Sequence, residues 1–166
     1  MSIDPTLATQ IGEVLRQKGA FLAIAESCTG GLISHLITNV PGSSDYFLGS
    51  IISYSNLSKL HWLDVQEQTL QQHGAVSRAC VLEMAHAIRF SLQSDYAPQN
   101  IIGLAVSGIA GPGGGTPQKP VGTVWVAIES AWLQKVQEFH FTGNRREIKD
   151  QSAQAALLLL YQSLSD

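Results

Sequence analysis

Three short polar stretches interrupt an otherwise apolar rhythm, and each holds residue types that can do chemistry. The first is Glu26, Ser27, Cys28, Thr29, Gly30 and Gly31. It follows the apolar run 21–25 and opens a helical pattern. Free N–H groups at a helix start attract anions, and paired glycines let a ligand approach the backbone. The same letters also describe a polar helix cap with glycines packed on a sheet, and spacing alone leaves both readings open. The second stretch runs from Ser107 and Gly108 through Gly111, Gly113, Gly114 and Gly115 to Pro117, after another apolar run. It lacks the Lys-Ser/Thr ending of a Walker loop. Ordering three consecutive glycines costs conformational entropy, so the loop is either a mobile connector or a cradle. Backbone N–H nests suit phosphate, which favours the cradle. The third stretch is Tyr54, Ser55, Asn56, Leu57, Ser58 and Lys59, at the end of a further apolar strand. Lys59 could face the same rim as Ser27, although a lone lysine more often reads as a solvated charge. Tyr54 by itself reads as core or interface.

Other chemistries find less support. Cys28 sits at a helix start, which would lower its thiol pKa, but no histidine is near it in sequence. His35, His61, His73, His86 and His140 are scattered, with no HExxH and no paired carboxylates, so no metal and no cofactor is expected. The net charge is -3, and Arg145-Arg146 is the only short cationic pair. A nucleic-acid surface needs many phosphate-facing cations, so nucleic acid is set aside as a partner. Two cysteines make no disulfide framework. The first ten residues do not read as a signal peptide, and no apolar stretch reaches the ~18 residues of a membrane span. The expectation is a cytoplasmic protein without a membrane partner. Charged residues make up 14% of the chain, against ~25% in an average soluble domain. That points to extensive burial and to a homo-oligomer.

The elements that must position these stretches follow from periodicity. Asp4-Pro5 reads as a helix start, with Leu7, Ile11, Val14 and Leu15 at helical spacing and Gly19 as the stop. The run 21–25 is a strand buried on both faces. A helix is expected over 30–38, a strand over 47–54 and a broken helical segment over 60–72, stopped by Gly74. Ser77 caps a helix with Val81, Leu82, Ala85, Ile88 and Leu92 on one face. Residues 101–106 form a buried strand, and 121–129 with 135–141 form a hairpin. Asn144 and Glu147 make a capping box for a last helix, whose Ile148, Ala155, Ala156, Leu159 and Leu160 face the core. The 166 residues fit one domain. The alternation of helix and strand followed by a hairpin predicts an α/β fold, a layered single domain with a mixed β-sheet flanked by helices.

Taken together, these motifs resemble those of the CinA C-terminal-domain family, the nicotinamide-nucleotide amidohydrolases. The resemblance rests on Ala25 with the stretch 26–31, then 41–44 with Tyr46 and Phe47, then Tyr54, Ser55, Asn56 and Lys59. It continues through 74–77, 108–112 with Gly114 and Gly115, 120–124, and Arg145 with Glu147. It runs in order from about Glu13 to the last helix. Ser107 stands where many members carry threonine, Gly113 where an acidic residue is frequent, and Lys149 where arginine is usual. The larger CinA proteins carry a separate N-terminal domain, so the resemblance implies a stand-alone amidase.

The implied activity is hydrolysis of the carboxamide of nicotinamide mononucleotide to nicotinic acid mononucleotide and ammonia, in pyridine nucleotide salvage. The implied partner is thus a small-molecule nucleotide. The family's serine and lysine map onto Ser27 and Lys59, with Tyr54 orienting the lysine or relaying its proton. An amide is a poor electrophile and needs a nucleophile, a base and oxyanion donors. A free lysine has a pKa of ~10.4, so Lys59 acts as a base only if burial or a nearby cation lowers that value. Backbone N–H groups of Cys28, Thr29 and Gly30 are the expected oxyanion donors. Substrate-binding positions are expected at Cys28, Thr29, Gly30, Gly31, Ser107, Gly108, Gly111, Gly114, Gly115 and Arg145. The phosphate is expected either in the glycine-rich loop or at the Thr29-Gly30-Gly31 helix start. The alternative function is a non-catalytic nucleotide-binding accessory protein of competence or DNA damage.

Overall fold

A computed structural model describes residues 4, 6–91 and 96–165. Five strands, β1 (Phe21–Glu26), β2 (Phe47–Ile52), β3 (Ile101–Gly108), β4 (Thr123–Glu129) and β5 (Gln134–His140), form one sheet in the order β2-β1-β3-β4-β5. β1 runs parallel to both β2 and β3, and β3-β4-β5 is an antiparallel meander. Helices α1 (Leu7–Lys18), α2 (Leu32–Thr38) and α6 (Arg145–Ser165) cover one face. Helix α5 (Arg78–Phe90) covers the other, with α3 (Asn56–Leu63) and α4 (Glu67–His73) beside it. The expected layered α/β domain with a mixed sheet is the observed one.

The two faces differ in side-chain size, and period-two alternation explains it. Leu22, Ile24, Ile102, Leu104, Val106, Val124, Val126 and Ile128 point toward α1, α2 and α6. Ala23, Ala25, Ala105 and Ala127 point toward α5. Gly103 lies in the same row, and a Cβ there would stand 2.1 Å from the Ala85 carbonyl oxygen. The small-residue face therefore lets α5 rest almost directly on the sheet backbone.

Several element boundaries differ from the sequence reading by one to four residues, and those around α3 bear on the site. The regular first helix begins at Leu7; the Asp4 carboxylate accepts from the Thr6 N–H and hydroxyl, the bond expected of a capping acceptor, while Thr6 itself makes no side-chain cap bond. Pro5, like Leu92 of the α5 face, lies outside the described residues. Strand β2 ends at Ile52 instead of Tyr54, and the next helix begins at Asn56 instead of Leu60. The cause is a capping box built from two serines. The Ser55 hydroxyl accepts from the Ser58 N–H, and the Ser58 hydroxyl accepts from the Ser55 N–H. The usual signature has Glu or Gln at the second position.

Candidate active site

The carboxyl ends of β1, β2 and β3 lie at one rim, where open α/β sheets hold ligands. The chain leaves β1 at Ser27, whose N–H donates to the Val106 carbonyl of β3 (3.1 Å). It leaves β2 at Ser53, whose N–H donates to the Glu26 carbonyl (2.8 Å). Both residues are thus pinned by one extra rung beyond their strands. Lys59 stands in the second turn of α3, where a helical side chain leans back toward the helix start. That direction returns its amine to the rim. Nζ lies 2.9 Å from Ser27 Oγ and 2.5 Å from the Ser53 carbonyl oxygen.

Lys59 is 1% exposed and Ser27 7%. Among the described residues no carboxylate lies within ion-pair distance of Nζ. Desolvation without a counter-ion disfavours the ammonium, and burial holds the Lys59 pKa below its ordinary value. The amine can donate to Ser27 Oγ when protonated and accept the serine proton when neutral. The sequence alone gave no means of choosing between this state and a solvated lysine.

The loop that carries Ser27 is fixed by a residue that sequence reading left without a role. Glu26 is fully buried, and its carboxylate accepts from the N–H groups of Gly31 (2.9 Å), Ile33 (3.2 Å) and Ser34 (2.8 Å) and from the Ser34 hydroxyl (2.6 Å). The first free donors of α2 are therefore already occupied by an internal anion. Gly30 N–H donates to the Ser27 carbonyl (3.1 Å). The N–H groups of Cys28 and Thr29 have no partner among the described residues. Cys28 is buried, and desolvation pushes its thiol up to about 12, opposite to the lowering expected at a helix start. That position makes it a poor nucleophile.

Two cavities open on this rim. A small one of about 210 Å³ is lined by Ser27, Cys28, Tyr54, Gly108, Ala110 and Arg145. A larger, more open one of about 770 Å³ is lined by Thr29, Gly30, Gly31, Arg145, Arg146 and Lys149, among others. Arg145 opens α6 and belongs to both. Its Nη2 donates to the Tyr54 hydroxyl (2.5 Å) and its Nη1 to the Gly111 carbonyl (2.6 Å). Tyr54 therefore meets Arg145, not Lys59. Ser107, Gly111, Gly114 and Gly115 line neither cavity. The Ser107 hydroxyl donates to the Ala75 carbonyl (2.8 Å), and a Cβ at Gly111 or Gly115 would stand 2.6–2.7 Å from Val121 atoms. Among the described residues no three His, Cys, Asp or Glu side chains gather as a metal set. Arg146 and Lys149 were not singled out from sequence as site residues. No described helix is long and apolar enough to cross a membrane.

A single α/β domain with a serine and an unpaired buried amine facing each other at the sheet rim is the class this architecture defines. The CinA C-terminal domain family model matches residues 4–164, and the chain belongs to that family. A CinA-like protein of Syntrophotalea carbinolica is 46% identical over 92% of this chain and 35% of its own length. A CinA-like protein of Thermotoga maritima is 44% identical over 93% of this chain and 36% of its own length. The crystal structure of competence damage-inducible protein A from Klebsiella pneumoniae has a TM-score of 0.89 at 31% identity, covering 97% of this chain and 96% of that one. The chain spans somewhat over a third of the length of the curated relatives it matches.

Proposed function

We propose that this chain hydrolyses the carboxamide of nicotinamide mononucleotide, with Ser27 as nucleophile and Lys59 as general base. The observation that carries the reading is the 2.9 Å contact between Ser27 Oγ and a buried amine without a carboxylate partner. Neutral Lys59 takes the Ser27 proton as Oγ adds to the amide carbon. The oxyanion is held by the N–H groups of Cys28 and Thr29. The Lys59 ammonium returns that proton to the leaving nitrogen, so ammonia departs and an ester to Ser27 remains. Water then adds to the ester, again losing a proton to Lys59. Collapse frees the carboxylic acid, and Ser27 regains its proton. Arg145, held by Tyr54 and Gly111, lines the same cavity and is placed to contact the substrate.

The family resemblance supplies the substrate, and the assay that tests it is ammonia release from nicotinamide mononucleotide, its riboside and free nicotinamide. Ser27→Ala and Lys59→Ala are each expected to lower release about a thousandfold or more, with unchanged circular dichroism. Most of the activity surviving in either variant would remove the dyad. Tight binding of the mononucleotide by the unmodified chain without any ammonia would favour a non-catalytic accessory role. The competence and damage wording in the relatives' names gives that outcome its interest.

A further inference from the structure

We infer that the larger cleft, between the start of α2 and the first turns of α6, is a phosphomonoester subsite for a ligand whose reacting end occupies the Ser27 cavity. The inference rests on the amidase reading only for that second clause. The cleft joins the small cavity through Arg145, which lines both. Three of the chain's ten lysines and arginines, Arg145, Arg146 and Lys149, line it, although the chain as a whole carries -3. Asp150 is the one carboxylate in the lining. None of the three cations forms an ion pair among the described residues. They also occupy the end of α6 where the helix dipole favours acidic side chains and disfavours cations. A phosphate, at about -1.5 to -2 near neutral pH, reverses that cost.

A second observation points the same way. Thr29, fully buried, lines the cleft, and its hydroxyl has no hydrogen-bond partner among the described residues. Leaving a buried hydroxyl without a partner is costly, and a ligand oxygen would relieve that cost. Of the four such side-chain atoms among the described residues, Thr29, Ser53 and Thr123 belong to the sheet rim. The glycine beside Thr29 keeps the floor open: Lys149 Nζ lies 3.5 Å from where a Gly30 Cβ would stand.

At the two places expected from sequence, part of the backbone is already committed to internal contacts. The α2 start is filled by the Glu26 carboxylate. The α6 start is capped by the Asn144 side chain, which accepts from the N–H groups of Arg146 and Glu147. In the glycine-rich loop, Gly111 and Gly115 pack on Val121, and Lys119 Nζ donates to the His73 carbonyl. The cations and the Thr29 hydroxyl therefore carry the recognition.

Calorimetric titration with ribose 5-phosphate, and with ribose as the uncharged control, tests the subsite independently of turnover. The unaltered chain should bind the phosphate sugar and not ribose. Arg146→Ala with Lys149→Ala should weaken that binding at least tenfold, and Lys149→Arg should restore the Lys149 share. Lys135→Ala, on β5, should change nothing. In steady-state assays the double variant should raise KM for nicotinamide mononucleotide at least tenfold with kcat within about twofold, leaving turnover of the riboside unaltered. Absence of ribose 5-phosphate binding, or binding indifferent to the double variant, overturns the subsite. Equal impairment of nucleotide and riboside also overturns it. If no substrate yields ammonia while phosphate binding still depends on Arg146 and Lys149, the amidase reading falls and the subsite stands.

Discussion

At the scale of single residues, the proposed chemistry turns on Lys59. Its pKa lies below the ordinary lysine value because the amine is buried among neutral groups. At a pH below the folded value both folded and unfolded chains hold the proton, and the native state bears the whole cost of burying it. Between the folded value and ~10.4 the unfolded chain binds more protons, so stability rises with pH across that window. Lys59→Met removes the titrating group while keeping its volume. Replacing a buried charge with a well-packed apolar side chain is often stabilising. We expect the variant to melt higher than the parent at pH 7, by about 2–4 °C for each kcal/mol recovered. The gap should narrow as pH approaches ten, because the parent alone gains. Differential scanning calorimetry of both proteins across that range is the measurement, and a gap that widens with pH refutes the assignment. Under the proposed mechanism the same ionisation governs turnover: kcat/KM of the parent should climb through a pKa below that of free lysine. A profile flat from pH 6 to 9 would mean that no such base acts in this range.

At the scale of elements, two contacts hold the rim in place. Glu26 accepts four hydrogen bonds at the start of α2, and leaving those donors unpaired is costly. Glu26→Ala should lower stability by about 2–4 kcal/mol in urea unfolding and release the loop that carries Ser27. An unchanged urea midpoint would mean that α2 does not depend on this cap. Gly103→Ala should cost about 1–3 kcal/mol through overpacking, because its Cβ collides with the Ala85 carbonyl and must lift α5 from the sheet; the same urea titration measures it. These elements were unequally legible in the sequence. The apolar runs of β1 and β3, the β4-β5 hairpin, and the Ser77 and Asn144 caps follow local rules and can be read directly. The Asn144 box is present as expected, with Glu147 accepting from the Asn144 N–H. The start of α3 was hidden because serine replaces the usual acidic partner in its box. Glu26 was hidden for a different reason. It reaches donors five to eight residues ahead, and only the turn at Gly30 and Gly31 folds them back onto it. The cationic opening of α6 carried a readable signal, since Arg145, Arg146 and Lys149 sit where the dipole repels them.

At the scale of the whole molecule, the sheet divides the core into two faces and joins them at the rim. Cys28 belongs to the face under α1, α2 and α6, and Cys80 to the face under α5. Lys59 lies close enough to both thiols to feel each of them, so the Ser27–Lys59 pair sits where the two halves of the core meet. A rim assembled from β1, β2, β3, α3 and α6 keeps its geometry only if both faces hold together. The two cysteines report on this separately, one for each face. Burial raises Cys28 to about 12 and Cys80 to about 11, while an unfolded thiol titrates near ~8.5 and reacts readily. Iodoacetamide at pH 8 should therefore label neither site in the native protein and leave any turnover intact. As urea is raised, both sites should become reactive over one transition whose midpoint matches the loss of circular dichroism, as a single cooperative unit requires. Mass spectrometry of the two peptides after short labelling pulses separates the outcomes. Earlier labelling of Cys80 would show α5 leaving the sheet as an independent unit. In that event Lys59 would lose the α5 side of the surround that disfavours its ammonium before the fold as a whole gives way.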